Sequence, residues 1–245
     1  MQEVLIITGG SKGIGKGIVT AYLSHGVQVF SIARTINGEL SKDGVTQIAL
    51  DLTRTEQIEQ ELLKIFNLLD KEKVSKITLI NNAGTLGQIG PLDKLNTATI
   101  EQAIRLNTIV PFILSSAFIR YLQNWEAKKT IVNITSGAAL KPYFGWSVYC
   151  SSKAAVNMLV QTIAVEQAGV ANSVKVLAIS PGVVDTDMQS EIRQSAKQDF
   201  RDIGRFLELK KKGLLNDAMA VGKHIYQIAN DDGIESGAIL RVPGN

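Results

Sequence analysis

The sequence predicts an α/β fold: a single domain whose doubly wound parallel sheet of about seven strands carries helices on both faces. Three observations predict it. Short apolar runs rich in β-branched residues alternate with longer stretches of helical periodicity. The runs are apolar at nearly every position rather than every second one, as strands buried on both faces must be. A glycine-rich turn, Thr8-Gly9-Gly10-Ser11-Lys12-Gly13-Ile14-Gly15, joins the first run to the first helical stretch.

The elements follow in order. Residues 4–7 are the first strand. A helix over 15–25 comes next, with Ile14, Ile18, Tyr22 and Leu23 near helical spacing and Gly26 as its C-terminal stop. Residues 27–32 and 45–50 are the second and third strands. Thr53 and Glu56 match a capping box, which opens a helix to about residue 69. The fourth strand is 77–80, and a long helix covers about 99–123. Residues 130–134 form the fifth strand, and 147–167 another long helix. The sixth strand is 174–179, followed by a helix over 216–229 and a last short strand at 238–242. The segment 185–215 is long, polar and mixed in sign, and is expected to be a lid over a site.

Composition narrows the class. Hydrophobic residues make up 45% and charged residues 20% of the chain, enough apolar material for one large core over 1–245. The net charge of +3 shows no clustered cationic footprint, so no nucleic acid is expected, and Lys210-Lys211-Lys212 reads as a solvated helix end. Cys150 is the single cysteine, which rules out an internal disulfide and suits a reducing, cytoplasmic compartment. Beside Tyr149 it reads as a small packed residue rather than a redox switch. Residues 1–7 lack the basic and long apolar regions of a signal peptide, and no run approaches the about 20 apolar residues of a membrane span. With two histidines and no Cys/His cluster, no metal site is expected.

The glycine loop keeps its turn tight and lets the backbone approach a pyrophosphate, while the helix behind it offers free N–H groups and a favourable dipole. Its spacing is Gly9-x3-Gly13-x-Gly15. The second strand ends in Ser31-Ile32-Ala33-Arg34, where a site for NAD usually places an acid for the ribose 2′-hydroxyl. No acid is present. Arg34 and Lys12 can instead pair a 2′-phosphate, so NADP(H) is the expected cofactor; the alternative leaves both as plain surface charges.

Tyr149 and Lys153 stand four apart in Tyr149-Cys150-Ser151-Ser152-Lys153 and share a helix face. A free phenol, with a pKa of about 10, is a weak proton donor at neutral pH, and a nearby ammonium lowers that value. Tyr149 is then a general acid toward a carbonyl oxygen, and a base in reverse. Ser136 follows the fifth strand, at the carboxyl end where ligands sit in such sheets, and its hydroxyl can hold the substrate oxygen. Asn81-Asn82-Ala83-Gly84 ends the fourth strand in the same layer. Asn107 lies inside a long helix, where asparagine is a mediocre helix former.

Together these motifs, with Pro181-Gly182, resemble those of the short-chain dehydrogenase/reductase family, in the family's order and over nearly the whole chain. Tyr149 stands thirteen positions after Ser136, a spacing typical of that family. The resemblance implies a Rossmann fold and a set of roles. Tyr149 donates the proton, Lys153 lowers its pKa and binds the nicotinamide ribose, Ser136 orients the carbonyl, and Asn107 holds a water in a proton relay. Thr8, Gly9, Ser11, Lys12, Gly13, Ile14 and Gly15 cradle the cofactor, Asp51 and Leu52 flank its adenine, and Asn81, Ala83 and Gly84 line its groove. Pro181, Gly182, Val184, Thr186 and Met188 meet its nicotinamide end. Asp51 has a second reading, as a strand-end turn residue.

Pro142-Tyr143-Phe144-Gly145-Trp146 and the stretch from Ser180 to Gln189 resemble the sepiapterin reductase branch, some of whose bacterial members reduce one carbonyl of an aromatic 1,2-diketone. Tyr143, Phe144 and Trp146 are expected to wall a substrate pocket with Ser136 and Tyr149; the alternative is that Phe144 and Trp146 pack in the core or at a subunit contact. Arg241 stands where pterin-reducing members carry an aspartate, and a cation accepts no hydrogen bond from a pterin. A small-molecule diketone is therefore favoured over a pterin. The competing class, a non-catalytic NADP(H)-sensing protein, would have lost Ser136, Tyr149 or Lys153. Reaction direction is not encoded in these motifs. The resemblance also implies a homodimer, or a tetramer, paired through the helices at 99–123 and 147–167. Leu114, Phe118, Met158 and Thr162 belong either to that contact or to the sheet face.

Overall fold

The computed structural model describes residues 1–243; Gly244 and Asn245, the end of the expected 1–245 domain, lie outside the described residues. Seven strands form one parallel sheet: β1 (Gln2–Thr8), β2 (Gln28–Ala33), β3 (Thr46–Ala49), β4 (Val74–Asn81), β5 (Lys128–Ile134), β6 (Val174–Ser180) and β7 (Ile239–Arg241). Their spatial order is β3-β2-β1-β4-β5-β6-β7. The order reverses between β1 and β4, and the crevice outside the carboxyl ends of those strands is the ligand position of such folds.

Alternate side chains of each strand enter opposite layers. Val4 and Ile6 of β1 join one apolar layer with Phe30, Leu62, Phe118 and Val160. Leu5 and Ile7 join the other with Ile18, Tyr22, Val221 and Ile225. The first layer is covered by α3 (Ile58–Asn67), α5 (Val110–Leu122) and α6 (Ser147–Glu166), the second by α1 (Gly13–Leu23) and α9 (Ala218–Ala229). The α1 and α9 backbones meet through glycine: a Cβ at Gly17 would stand 2.1 Å from the Ala218 carbonyl oxygen, and one at Gly222 would stand 2.2 Å from the Gly17 carbonyl carbon.

Several elements differ from expectation. The capping box at Thr53 and Glu56 does not form, because the Thr53 hydroxyl and amide both bond to Asp51. A 3₁₀ turn, Thr55–Gln57, precedes α3 instead. An unexpected short helix, α2 (Gly38–Lys42), is capped by the Asn37 side chain. The long helix at 99–123 is interrupted: α4 (Thr97–Ile104) passes through a π-helical segment, Arg105–Ile109, before α5. The run Thr97–Leu122 is long and apolar enough to cross a membrane by length and composition. It is nonetheless anchored on the sheet by Leu114, Ala117, Phe118 and Leu122, all fully buried. Leu114 and Phe118 thus face the sheet, while Met158 and Thr162 are exposed. Segment 185–215 holds two helices, α7 (Asp187–Gln194) and α8 (Ile203–Lys211). Lys210 is ion-paired with Asp185 at 2.6 Å and Lys212 with Glu208 at 2.7 Å, so two of the three lysines in that run have partners.

Candidate active site

The glycine loop leaves β1 with Gly9 and Gly13 at φ 68° and 54°, a region that favours glycine. A Cβ at Gly15 would lie 2.0 Å from the Gly9 carbonyl oxygen, so no side chain fits there. No side chain caps α1 and no acid occupies its first turn, which leaves its N–H groups and positive dipole end facing the crevice. Asn82 holds the loop: its Nδ2 donates to the carbonyl oxygens of Thr8 and Gly9, each at 3.0 Å. The Thr8 hydroxyl accepts from the amides of Asn82 and Ala83 at 3.0 and 3.1 Å. Sequence reasoning passes over Asn82 in favour of its neighbour. The Asn81 side chain is buried and donates to Asn133 Oδ1 at 2.9 Å, tying β4 to β5 rather than lining the groove.

Beside the loop lies a hollow of about 710 Å³, lined by Ser11, Lys12, Thr35, Asn37 and Lys42 among others. Asn37 Nδ2 donates to the Ser11 carbonyl at 2.8 Å and fixes one wall. Arg34 is exposed at the end of β2. Lys12, one of the two cations expected there, is ion-paired at 2.6 Å with Asp187 at the start of α7. Asp51 forms the turn of its second reading: two bonds from Thr53, more than the charge of Arg34, hold its carboxyl below the usual range. The Leu52 side chain is buried in the core.

The catalytic candidates come from three elements. Tyr149 and Lys153 lie in the first two turns of α6 and are nearly buried. Ser136 leaves β5, accepts from the Ala138 amide at 3.2 Å and lies close enough to the Tyr149 phenol to influence its ionisation. Lys153 Nζ donates to the Ile134 carbonyl at 2.8 Å and lies 5.9 Å from the Tyr149 ring centre. Asn107 sits in the π-helical segment, where Oδ1 accepts from the Thr85 amide at 2.9 Å. Its Nδ2 donates to the Thr85 carbonyl at 2.8 Å and to Ser152 Oγ at 3.2 Å. Ser152 in turn donates to the Tyr149 carbonyl at 2.8 Å, so Asn107 braces both Tyr149 and the loop after β4. Gly84 is the crowded centre: a Cβ there would stand 3.3 Å from Asn107 Oδ1 and 3.6 Å from Lys153 Nζ.

Burial sets the electrostatics, and it reverses one expectation. Desolvation pushes the Tyr149 phenol up, against the opposing influence of the Ser136 hydroxyl, and draws the Lys153 ammonium down to about 8. Lys153 is not among the groups that move the phenol, and burial disfavours its own charged form. A phenol raised in this way stays protonated at neutral pH, the state a proton donor needs.

The aromatic wall joins the helices of 185–215 into one cluster. Trp146 stacks on Phe200 at 4.5 Å and meets Tyr149 edge-on at 5.5 Å, with Phe206 at 5.6 Å and Tyr143 at 5.0 Å. Trp146 is therefore both core residue and neighbour of Tyr149. Gly145, at φ 89°, is the junction: its carbonyl accepts from Gly90 at 3.0 Å, and a Cβ there would stand 1.9 Å from the Asp199 carbonyl oxygen. The strand-end turn after β6 is held by Asn216, another residue missed in sequence, whose Nδ2 donates to the Pro181 carbonyl at 3.3 Å. A Cβ at Gly182, φ 76°, would meet that Nδ2 at 2.8 Å. Val184 bridges to Asn216 as well, and Met188 packs on the aromatic cluster. The Thr186 methyl would be 3.3 Å from a Cβ at Gly13, bringing this turn against the glycine loop.

A phosphate cradle at the switch point, with buried Tyr149 and Lys153 and half-buried Ser136 beside it, defines a dinucleotide-dependent oxidoreductase. The short chain dehydrogenase family model matches residues 3–197. The chain is 37% identical to the benzil reductase ((S)-benzoin forming) of Bacillus cereus, covering 98% of this chain and 99% of that protein. It is 31% identical to the sepiapterin reductase of Bos taurus, over 97% of this chain and 93% of the relative. The crystal structure of the KRED1-Pglu enzyme superposes with a TM-score of 0.84 at 28% identity, covering 97% of this chain and all (100%) of that one. The chain belongs to the short-chain dehydrogenase family. It is an oxidoreductase acting on the carbonyl–alcohol pair, and its family works with nicotinamide cofactors.

Proposed function

We propose that this protein is an NADPH-dependent reductase of aromatic 1,2-diketones, taking benzil to (S)-benzoin. The observation that carries the reading is the grouping of half-buried Ser136 with buried Tyr149 and Lys153, and the Trp146–Phe200 stack beside it. The side-chain-free glycine cradle and the uncapped α1 terminus fit a dinucleotide pyrophosphate. Thr8, Gly9, Ser11, Gly13, Ile14, Gly15, Ala83 and Gly84 would hold it, with Pro181, Gly182, Val184, Thr186 and Met188 at the nicotinamide end. Lys12 and Arg34 favour a 2′-phosphate, and Asp51, spent on Thr53, offers its ribose no free acid. The cofactor supplies a hydride to the carbonyl carbon when bound. Ser136 orients the carbonyl oxygen and Tyr149 donates its phenolic proton to it. Lys153, at about 8, exchanges protons readily near neutral pH and restores that proton through the Asn107 side of the site. With the phenol pushed up, the protonated form that reduction uses is the form present at neutral pH.

The segment 185–215 acts as the lid. A homodimer through α5 and α6 accounts for the exposure of Ile109 (40%), Phe112 (45%), Met158 (62%) and Val165 (77%). The lone, half-buried Cys150 suits a reducing cytoplasm. The test is NADPH consumption with benzil, beside Tyr149→Phe and with sepiapterin as the second substrate. Benzil turnover that falls by about 10³-fold in the variant supports the assignment. Sepiapterin turnover alone would move the protein to pterin chemistry, against the exposed Arg241 at the end of β7. Tight NADPH binding with no turnover of any carbonyl would favour a sensor.

A further inference from the structure

We propose that the substrate carries an anionic group distal to the carbonyl that Tyr149 protonates, and that Lys141, Arg201 and Arg205 receive it; this rests on the reading of the site as an aromatic-ketone reductase. From Tyr149 the aromatic wall runs outward through Trp146, at 5.5 Å, to Tyr143, a further 5.0 Å. Tyr143 is gripped by two cations. The Lys141 ammonium stands 4.5 Å over its ring, and Arg205 Nη1 donates to its hydroxyl at 3.2 Å. The same Arg205 lies 5.8 Å from the Phe206 ring centre, and Arg201 stacks at 3.9 Å over Phe144. The cations thus come from both sides of the site, the loop before α6 and the lid.

None of the three has an ion-pair partner among the described residues, although Asp199 and Asp202 lie in the same stretch of the lid. Elsewhere on the surface Lys12, Lys16, Lys128 and Lys210 each hold a carboxylate. Stacking on an aromatic face orients a cation, at about 0.5–1 kcal/mol when exposed, without neutralising it. Two of the three are arginines, whose forks match carboxylate and phosphate oxygens. An apolar wall rimmed by oriented, unneutralised cations fits an aryl ketone with a negative charge at its far end. A carboxylate and a phosphoryl group share that chemistry.

The holoenzyme is assayed with NADPH and three matched diketones: benzil, 4-carboxybenzil and 4-phosphonobenzil. Calorimetry on the NADP⁺ complex gives the dissociation constant of each. One anionic diketone is expected to exceed benzil by roughly tenfold or more in kcat/KM, chiefly through KM, with an advantage that shrinks as salt is raised. Whichever leads identifies the natural anion as carboxylate or phosphoryl. Arg201→Gln, Arg205→Gln and Lys141→Met are expected to pull the anion-to-benzil ratio toward one. A parent ratio of one or below, or a ratio that the combined variant leaves intact, overturns the proposal. If no diketone is reduced, the aromatic-ketone reading fails, and the dissociation constants still decide the anion preference. Each substitution is at an exposed side chain, and a circular dichroism melt confirms that the variants are folded.

Discussion

Lys12 serves two masters at residue scale. Its ammonium is held by Asp187, at 2.6 Å, on the first turn of α7, yet it borders the hollow where a 2′-phosphate would lie. Both partners are exposed, so the pair is weak and a doubly charged phosphate displaces it. We expect Lys12→Ala with Arg34→Ala to cut the preference for NADPH over NADH by about 30-fold or more, read as the ratio of the two kcat/KM values. An unchanged ratio would leave both as plain surface charges. Asp187→Asn, which frees Lys12, is expected to tighten NADPH binding by about twofold, measured by fluorescence titration. Tyr149, Lys153 and Ser136 were legible in the sequence through the family resemblance, which carries their order and spacing; a Tyr/Lys pair four apart is by itself common on helix surfaces. Asn82 and Asn216 were not, because their work is to pin backbone carbonyls, and only the folded chain reveals which carbonyls need pinning.

Among the elements, the strands were the most legible, since a parallel sheet buried on both faces demands continuous apolar runs. Helix interruptions were not. The π-helical turn at Arg105–Ile109 turns on Asn107 bonding out of the helix to Thr85 and Ser152, contacts that local periodicity does not encode. The same holds for α7 and α8, whose polar, mixed-sign sequence hides Ile192, Phe200 and Phe206, the three side chains that dock them. That docking depends on Gly145. Gly145→Ala places a methyl against the Asp199 carbonyl and on a backbone of φ 89°, which pushes the 185–215 segment, the proposed lid, off its seat. We expect kcat/KM for benzil to fall at least about tenfold while the dissociation constant for NADPH changes by less than about twofold. Limited proteolysis should then cut the lid segment sooner than in the parent, and equal cleavage rates would mean that the lid adapts to the methyl.

For the molecule as a whole, the buried site is a cost in stability that depends on pH. Lys153 falls from 10.5 to about 8 on folding, so between those values the unfolded chain holds a proton that the native chain has released. Stability must therefore rise with pH across that window, by up to roughly 3 kcal/mol from this group. Lys76 and Lys129, lowered by burial, add the same sign, whereas above 10 the raised phenols of Tyr22 and Tyr149 act the other way. Urea unfolding of the parent and of Lys153→Met, each at pH 7 and pH 9.5, isolates the Lys153 contribution. Between the two pH values the parent should gain at least about 1 kcal/mol more than Lys153→Met gains. Equal gains would mean that Lys153 keeps its proton in the fold. The meeting of α1 and α9 through Gly17 and Gly222 has a consequence for synthesis. The helix behind the phosphate loop is made early, and α9, which seats it, is made only after all the elements between them. A nascent chain therefore carries the loop's glycines before the helix that seats them exists, and the loop takes its folded shape only after α9 has been made.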